Sequence, residues 1–420
     1  RSLREGFMLC TIWVLIHGRS HAMKKSHVLI GGAGPVGLVS ALVLATEGIQ
    51  VTVVEAGSVL SHDLRASTFH PPTLDMLAAY GLTGELVERG LVARYTQQRD
   101  RRDGLVAEFD MQLLEGDTDH PFRLQCEQWH LTEQIHRRLQ ALPHVRMVFD
   151  ARLETVEHLP DGVRAEVRVS GELQAIDADY LIGADGAHSA VRRSLGIAFD
   201  GYTYPERFLV ISTAFEFANH MHKLSYVNYC SDPEQWCVML RVPALWRVLF
   251  PTNQETSDEE CLAEATAERL LQRLVENPEP YKTVHRSLYK VHQRVAATFR
   301  QHRVLLAGDA AHINNPLGGM GMNGGVHDAM SLCHKLIGVI RRGEGDEVLD
   351  RYERQRRTIA IEYINASTAR NKQEIEERDP AVRKRTQDEL RTIANNPVRA
   401  RAYLRKTSML DALARAEAIA

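Results

Sequence analysis

Two glycine-and-acid signatures carry the chemistry legible in this chain. The first is His27-Val-Leu-Ile-Gly31-Gly32-Ala-Gly34-Pro35-Val36-Gly37, followed by Val51-Thr-Val-Val54 and the acid Glu55. An apolar run, a Gly-x-Gly-x-x-Gly turn, a helix and an acid closing the next run together cradle a dinucleotide. Gly32 permits the tight turn, Gly34 lets backbone approach a pyrophosphate, and Gly37 lets the helix pack on the strand. Glu55, with Ala56 after it, is placed to accept hydrogen bonds from ribose hydroxyls and to disfavour a 2′-phosphate. These residues alone do not separate FAD from NAD. The second signature is Arg303-Val-Leu-Leu-Ala-Gly308-Asp309-Ala-Ala-His312, then Pro316-Leu-Gly318-Gly319-Met-Gly321-Met322-Asn323. Asp309 ends a buried strand, where it can accept a hydrogen bond from a ribityl or ribose hydroxyl. The Gly318–Asn323 stretch begins a helix whose bare N–H groups stabilise negative charge. A reduced flavin carries such charge at its N1/O2 edge, which makes it a fitting partner. The lesser alternative is a glycine loop chosen for tight packing alone.

The elements that must hold these residues can be read in outline. Val28–Ile30 is a short apolar run expected of a strand buried on both faces of a parallel sheet. A helix is expected over Val36–Gly48, with Leu38, Ala41, Leu42 and Ala45 on one face. Val163–Val169 and Leu173–Ile176, joined by Ser170-Gly171, read as a hairpin. Tyr180-Leu-Ile-Gly183-Ala-Asp185-Gly186 then reads as strand, turn and helix, in which Asp185 also suits a plain turn before a capped helix. Alternation predicts strands at 208–217, 224–229, 236–241 and 246–250. Tyr226, Tyr229, Trp236, Met239 and Arg241 lie in them and could line a pocket or be plain sheet residues. One long helix is expected over Leu349–Arg370, with Pro380 and Pro397 dividing the remainder. An apolar stripe of Leu404, Met409, Leu410 and Leu413 suits capping of the core or of a dimer partner better than a membrane. The fold class is therefore α/β: a Rossmann-like domain with a mostly parallel sheet, an antiparallel-sheet substrate domain and C-terminal helices. The expected division is 23–195 with 285–365 for the dinucleotide domain, 196–284 for the substrate sheet and 366–420 for the helical segment.

Composition narrows the partners. With 51 basic and 54 acidic residues among 420, the net charge of −3 gives no footprint for nucleic acid or an anionic membrane. The six cysteines form no Cys-x-x-Cys pair, so reduced thiols in a cytoplasmic protein are expected. Asn219-His220-Met-His222 has no further acid or cysteine at ligand spacing, so no metal is expected. Phe7–Ile16 is apolar but too short to span a bilayer. Because Met23-Lys-Lys precedes the first strand, residues 1–22 are read as an upstream or appended tail, with an export signal as the alternative.

Three ordered motifs now carry a resemblance. The Gly32–Gly37 turn, Gly183-Ala-Asp185-Gly186-Ala-His-Ser189-Ala-Val-Arg192, and Gly308-Asp309-Ala-Ala-His312 continuing through Pro316, Gly318, Gly321, Asn323, Asp328 and Ala329 resemble the FAD-dependent aromatic hydroxylases of the para-hydroxybenzoate hydroxylase type, over roughly residues 24–365. The resemblance implies FAD, with NADH or NADPH as a transient co-substrate. It implies hydroxylation of a small phenolic or N-heteroaromatic compound by O₂ through a flavin C4a-hydroperoxide, in a monomer or homodimer. By the same resemblance Gly32, Gly34, Pro35, Val36 and Gly37 hold the diphosphate, and Glu55 and Ala56 the adenosine ribose. Arg65, Gln128 (or Gln125), Asp185, Gly308 and Asp309 contact the cofactor. Pro316 lies beside the ring, and the backbone of Gly321, Met322 and Asn323 lies against the pyrimidine. Arg247 resembles an arginine that contacts the mobile flavin. Arg247, Tyr226 and Pro316 are the catalytic candidates, and His70, Tyr226 and His222 are guesses for a base. Asn314-Asn315, Leu317 and Met320 depart from common relatives, so a different substrate is expected. The alternatives are a ring-opening or quinone/polyketide tailoring oxygenase, and a non-oxygenating FAD reductase or binding protein.

Overall fold

The computed structural model describes residues 26–64 and 66–420. The reading of residues 1–22 and the role of Arg65 fall outside them.

A six-stranded sheet forms the centre, in the order Arg300–Gln301, Val304–Leu306, Tyr180–Gly183, His27–Gly31, Gln50–Val54, Val145–Val148. All neighbours are parallel except the first pair. Val28, Leu29, Ile30, Leu181, Ile182 and Leu305 are completely buried, as continuous apolar runs in a sheet covered on both faces must be. The helix after the glycine turn runs Pro35–Thr46, two residues short of the expected end. Gly48 takes a left-handed φ of 69°, a common way for the chain to leave a helix. That helix lies against Met320–Arg342, the long helix that follows the second signature. They meet through glycine: a Cβ on Gly308 or Gly325 would stand 2.7 or 2.6 Å from Val36 Cγ2.

The hairpin Gly162–Val169 and Glu172–Ala178 is present, joined by Ser170 and Gly171 with φ of 50° and 94°. Positive φ at both central residues matches the twist of the flanking strands.

The second large sheet has eight strands, in the order His312–Ile313, Thr283–Ala296, Phe199–Thr213, Trp246–Pro251, Cys237–Arg241, Val227–Ser231, Tyr95–Asp100, Gly104–Asp110. It extends well beyond 196–284. Tyr95–Asp100 pairs parallel with Val227–Ser231, a long-range pairing that no local pattern announces. One face buries Leu209, Met239 and Trp246 against Leu271 of the helix Glu264–Leu274. The other face looks toward the second signature.

The run expected as one helix is Glu347–Ile359, a π-helical stretch Ala360–Asn365, and Ala366–Ile375. Pro380 and Pro397 each open a new helix, Pro380–Ala394 and Pro397–Thr407, where a missing N–H costs nothing. Asp379 and Asn396 cap them by accepting first-turn N–H groups. The tail packs on the chain itself: Leu404 is buried with Val106 and Phe109, and Met409 with Ile364 and Met320. Among the described residues, no helix is long and apolar enough to cross a membrane.

Candidate active site

The glycine turn is shaped by close contacts. Gly32 has φ of 97°, and a Cβ there would lie 2.5 Å from the Ala184 carbonyl oxygen. A Cβ on Gly37 would lie 2.0 Å from the Gly32 carbonyl oxygen. Gly34 differs: no protein atom lies within 4 Å of its Cβ position, directly before the first turn of the helix. Glu55 accepts the N–H of Ala33 at 2.7 Å and of Gly57 at 2.8 Å, so its carboxylate braces the turn. Ala56 beside it is exposed.

Asp185 serves two ends. Its Oδ2 accepts the N–H groups of Ala190 and Val191 at 2.7 and 3.1 Å, which caps the helix Ala190–Ser194. Its Oδ1 is buried without a hydrogen-bond partner. Asp309 is exposed in the single turn Gly308–Ala310 that follows Val304–Leu306. Gly318 and Gly319, with φ of 114° and 67°, then turn the chain into Met320–Arg342. Gly321, Met322 and Asn323 fall in its first turns, where helix N–H groups lack intrahelical partners. The Asn323 side chain is spent on the protein: Nδ2 donates to Thr68 O at 2.8 Å and Gly319 O at 2.7 Å, and Oδ1 accepts the His70 N–H at 2.9 Å. Pro316 is exposed between the buried Asn315 and Leu317. Asn315 braces that turn, its Oδ1 accepting the Leu317 N–H at 3.1 Å. Gln128 opens the helix Gln128–Gln140, whereas Gln125 is wholly buried and accepts the Thr68 hydroxyl at 2.6 Å.

A buried charge cluster underlies the second signature. Asp328 accepts from Arg356 Nε at 2.6 Å, from the Gly308 N–H at 3.0 Å, and lies 2.8 Å from His312 Nε2. Burial raises its pKa, but the Arg356 and His312 charges outweigh this and hold it at about 2. Burial and the Arg356 charge push neighbouring His327 down to about 3, so it is neutral, 2.9 Å from the Thr73 hydroxyl. Arg356 lies beyond every sequence motif.

An open cavity lies between the eight-stranded sheet and the C-terminal helices. Gly318 and Met320 of the second signature wall it on one side. Tyr229 walls it on the sheet side, Arg123 of the separate short strand Arg123–Gln125 stands beside it, and Glu374 and Tyr403 wall the helical side. Two buried carboxylates fasten these helices. Asp100 pairs with Arg383 and accepts Gln387 Nε2 at 2.9 Å; Asp117 pairs with Arg405 and accepts Arg401 Nε at 2.9 Å.

A family profile described as an FAD binding domain matches residues 25–367. The para-nitrophenol 4-monooxygenase of Pseudomonas sp. (strain WBC-3) is 36% identical over 360 residues, 85% of this chain and 89% of its own. The 6-hydroxy-3-succinoylpyridine 3-monooxygenase of Pseudomonas putida (strain DSM 28022 / S16) is 35% identical over 352 residues, 83% of this chain and 88% of its own. The crystal structure of p-nitrophenol 4-monooxygenase from Pseudomonas putida DLL-E4 superposes with a TM-score of 0.87 at 32% identity, covering 93% of this chain and 98% of that one. The chain belongs to the FAD-dependent aromatic hydroxylase family.

The residues of this hydroxylase fit FAD. Gly34 leaves open the space a side chain would fill, and Asp185 Oδ1 is a buried acceptor with nothing to accept. The catalytic candidates are dispersed. Arg247 is buried and donates to Leu64 O and, at 3.1 Å, to Ser67 Oγ; burial lowers its pKa. Tyr226 is 40% exposed and does not line the cavity; Tyr229 does. The strand begins at Val227, and side chains alternate along it. Met239 faces the helical core instead, Trp236 packs on Phe208, and Arg241 pairs with Glu216 at 3.2 Å. His222 is exposed. His70 is buried with Nε2 2.8 Å from Gly318 O; burial and the Arg123 charge hold its pKa well below 6.5. Arg123, Glu374 and Tyr403 are cavity residues that sequence reasoning did not single out. The apolar stripe at Leu404 and Met409 was the signal that the C-terminal helices dock.

Proposed function

We propose that this hydroxylase uses NADH or NADPH and O₂ to hydroxylate a small phenolic or N-heteroaromatic compound bound in the cavity beside Gly318 and Met320. The observation that carries this reading is that one cavity is walled both by the second signature and by polar side chains of the sheet. The Gly32–Gly37 turn would hold the FAD diphosphate, Glu55 the adenosine ribose and Asp309 the ribityl chain, with Gln128 and Asp185 alongside. Bound there, FAD supplies hydride acceptance and oxygen activation. The chain's own part is placement. The first-turn N–H groups of Met320–Arg342 face developing negative charge. Pro316, exposed two residues before the cavity residue Gly318, would present an aliphatic edge beside the ring. Arg247 fixes Leu64 and Ser67. The sheet and C-terminal helices shield the bound ring from water. The protein is read as a cytoplasmic monomer or homodimer.

The test is NADH and NADPH oxidation by the FAD-loaded protein with a panel of phenols and pyridinols, counting peroxide and identifying product. Stimulation by one compound with a hydroxylated product and little peroxide is expected. Oxidation that no compound stimulates would replace this reading with that of a flavin reductase.

A further inference from the structure

We propose that Gln293 and Asn371 are positioning residues that hold the peptide on either side of Pro316 in one shape, and so keep nicotinamide oxidation coupled to hydroxylation. The proposal rests on the hydroxylase reading and names residues outside its motifs that serve the same site.

The stretch Asn314-Asn315-Pro316-Leu317 is held by side chains. The Asn315 N–H donates to Gln293 Oε1 at 3.1 Å, and Asn314 Nδ2 donates to Asn315 O at 2.6 Å. The Leu317 N–H donates to Asn315 Oδ1 at 3.1 Å, and Asn371 Nδ2 donates to Leu317 O at 3.1 Å. Pro316 O accepts the Gly319 N–H at 3.0 Å. Every backbone donor and acceptor from Asn315 to Leu317 therefore has a partner, which is what a segment with both flanks buried requires.

The two outer anchors lead to one irregular feature. Gln293, in the strand Thr283–Ala296, is 4% exposed and does not line the cavity. Its Nε2 donates to Asn365 O at 3.0 Å and to Thr368 Oγ1 at 3.1 Å, and the Thr368 hydroxyl donates on to Ile364 O at 2.9 Å. Asn365 closes the π-helical stretch Ala360–Asn365. A residue inserted into an α-helix turns everything after it by about 100°, and such insertions are frequent at functional sites. Here the turned face of Ala366–Ile375 carries Thr368 to Gln293 and Asn371 to Leu317 O. Asn371 also lines the cavity with Gly318, so it touches the chamber and the loop at once.

Coupled turnover takes NAD(P)H, a proton, O₂ and an aromatic C–H and gives NAD(P)⁺, a ring hydroxyl and water. Uncoupled turnover takes NAD(P)H, a proton and O₂ and gives NAD(P)⁺ and H₂O₂. The two differ in whether the substrate ring is correctly placed when oxygen is activated, and placement is steep in distance. A loosened Pro316 loop therefore shifts turnover from product to peroxide.

The test compares wild type with Gln293→Met in the FAD-loaded protein, by hydrogen exchange over residues 314–318 and by counting product and peroxide with 4-nitrophenol, or with whichever panel phenol stimulates wild type. Exchange over 314–318 should quicken by about fivefold, the equivalent of one ordinary hydrogen bond, while the strand Val304–Leu306 keeps its protection. Product per NAD(P)H should fall by about tenfold, peroxide making up the difference, with the KM for the phenol unchanged because Gln293 does not reach the cavity. Asn371→Leu should uncouple from the other flank, which keeps the test decisive if Gln293→Met folds poorly. Wild-type exchange and coupling in both variants overturn the proposal and leave the hydroxylase reading standing. Faster exchange throughout the chain with an unchanged peroxide fraction assigns Gln293 to stability alone and also overturns it. Wild-type NAD(P)H oxidation that no phenol stimulates removes the hydroxylase reading, and the coupling role with it.

Discussion

The two ends of the active site are built by opposite means. The proposed cofactor end is backbone: three parallel strand ends, at Gly31, Gly183 and Leu306, converge on glycine turns whose shape is set by missing side chains. The proposed substrate end is side chain: Arg123, Tyr229, Glu374 and Tyr403 arrive from separate segments and meet only in the fold. A backbone site tolerates no added atoms, whereas a side-chain site can be retuned one group at a time. The first kind leaves a local signature and the second does not.

Mutations can break or sharpen that contrast. The largest effect is expected from Gly34→Val, which should abolish FAD retention while the apo-protein melts close to wild-type apo-protein, because no protein atom occupies the space. Full yellow colour in the purified variant would remove the turn from the cofactor site. Next is Asp328→Asn, which strands Arg356 in the core and should cost about 3–5 kcal/mol in denaturant unfolding. The same cluster predicts acid lability. His327, held neutral with a pKa of about 3, takes up its proton in the unfolded chain near pH 6.5, so stability falls as pH drops from about 6.5 toward 3. Asp328, at about 2, adds a further loss as pH falls below the ordinary Asp value near 3.9. His327→Gln should flatten the upper part of that slope in pH-dependent melts, and an unchanged slope would assign it elsewhere. Asp309→Ala should weaken FAD by about 1–3 kcal/mol, measured by fluorescence on titration with the cofactor. The smallest effect is expected from Tyr229→Phe, which removes one hydroxyl from the cavity wall. It should raise the dissociation constant for an anionic phenol by the equivalent of about 0.5–1.5 kcal/mol without altering FAD content.

Legibility followed the same division. Gly32, Gly34, Gly37 and Glu55 were readable because the turn, its helix and the following strand are contiguous. The parallel sheet followed from short apolar runs spaced by helical patterns. The strand containing Tyr229 was expected from position 224, but it starts at Val227, and alternation left Tyr226 exposed while Tyr229 reaches the cavity. A shift of one residue exchanges the faces of a strand, so candidates chosen from the alternating pattern divide between core and cavity. Arg123 gave no local sign at all. An arginine in a three-residue strand looks like an edge residue until Tyr229 and Thr407 close around it. The parallel pairing of Tyr95–Asp100 with Val227–Ser231 was invisible for the same reason: its partners are far apart in the chain.

The fastening of the C-terminal helices through Asp100 and Asp117 bears on the order in which the protein is made. Every residue proposed to hold the cofactor is synthesised by Asn323, whereas the proposed substrate chamber waits for Tyr403 and Thr407. A chain shortened after Ile375 keeps the Asp328–Arg356 pair beneath the second signature but loses Arg383, Arg401 and Arg405, which leaves the chamber open to water. On the proposed function such a chain spends reductant on peroxide instead of product, which makes Arg383, Arg401 and Arg405 guardians of the cell's nicotinamide economy as well as of a fold.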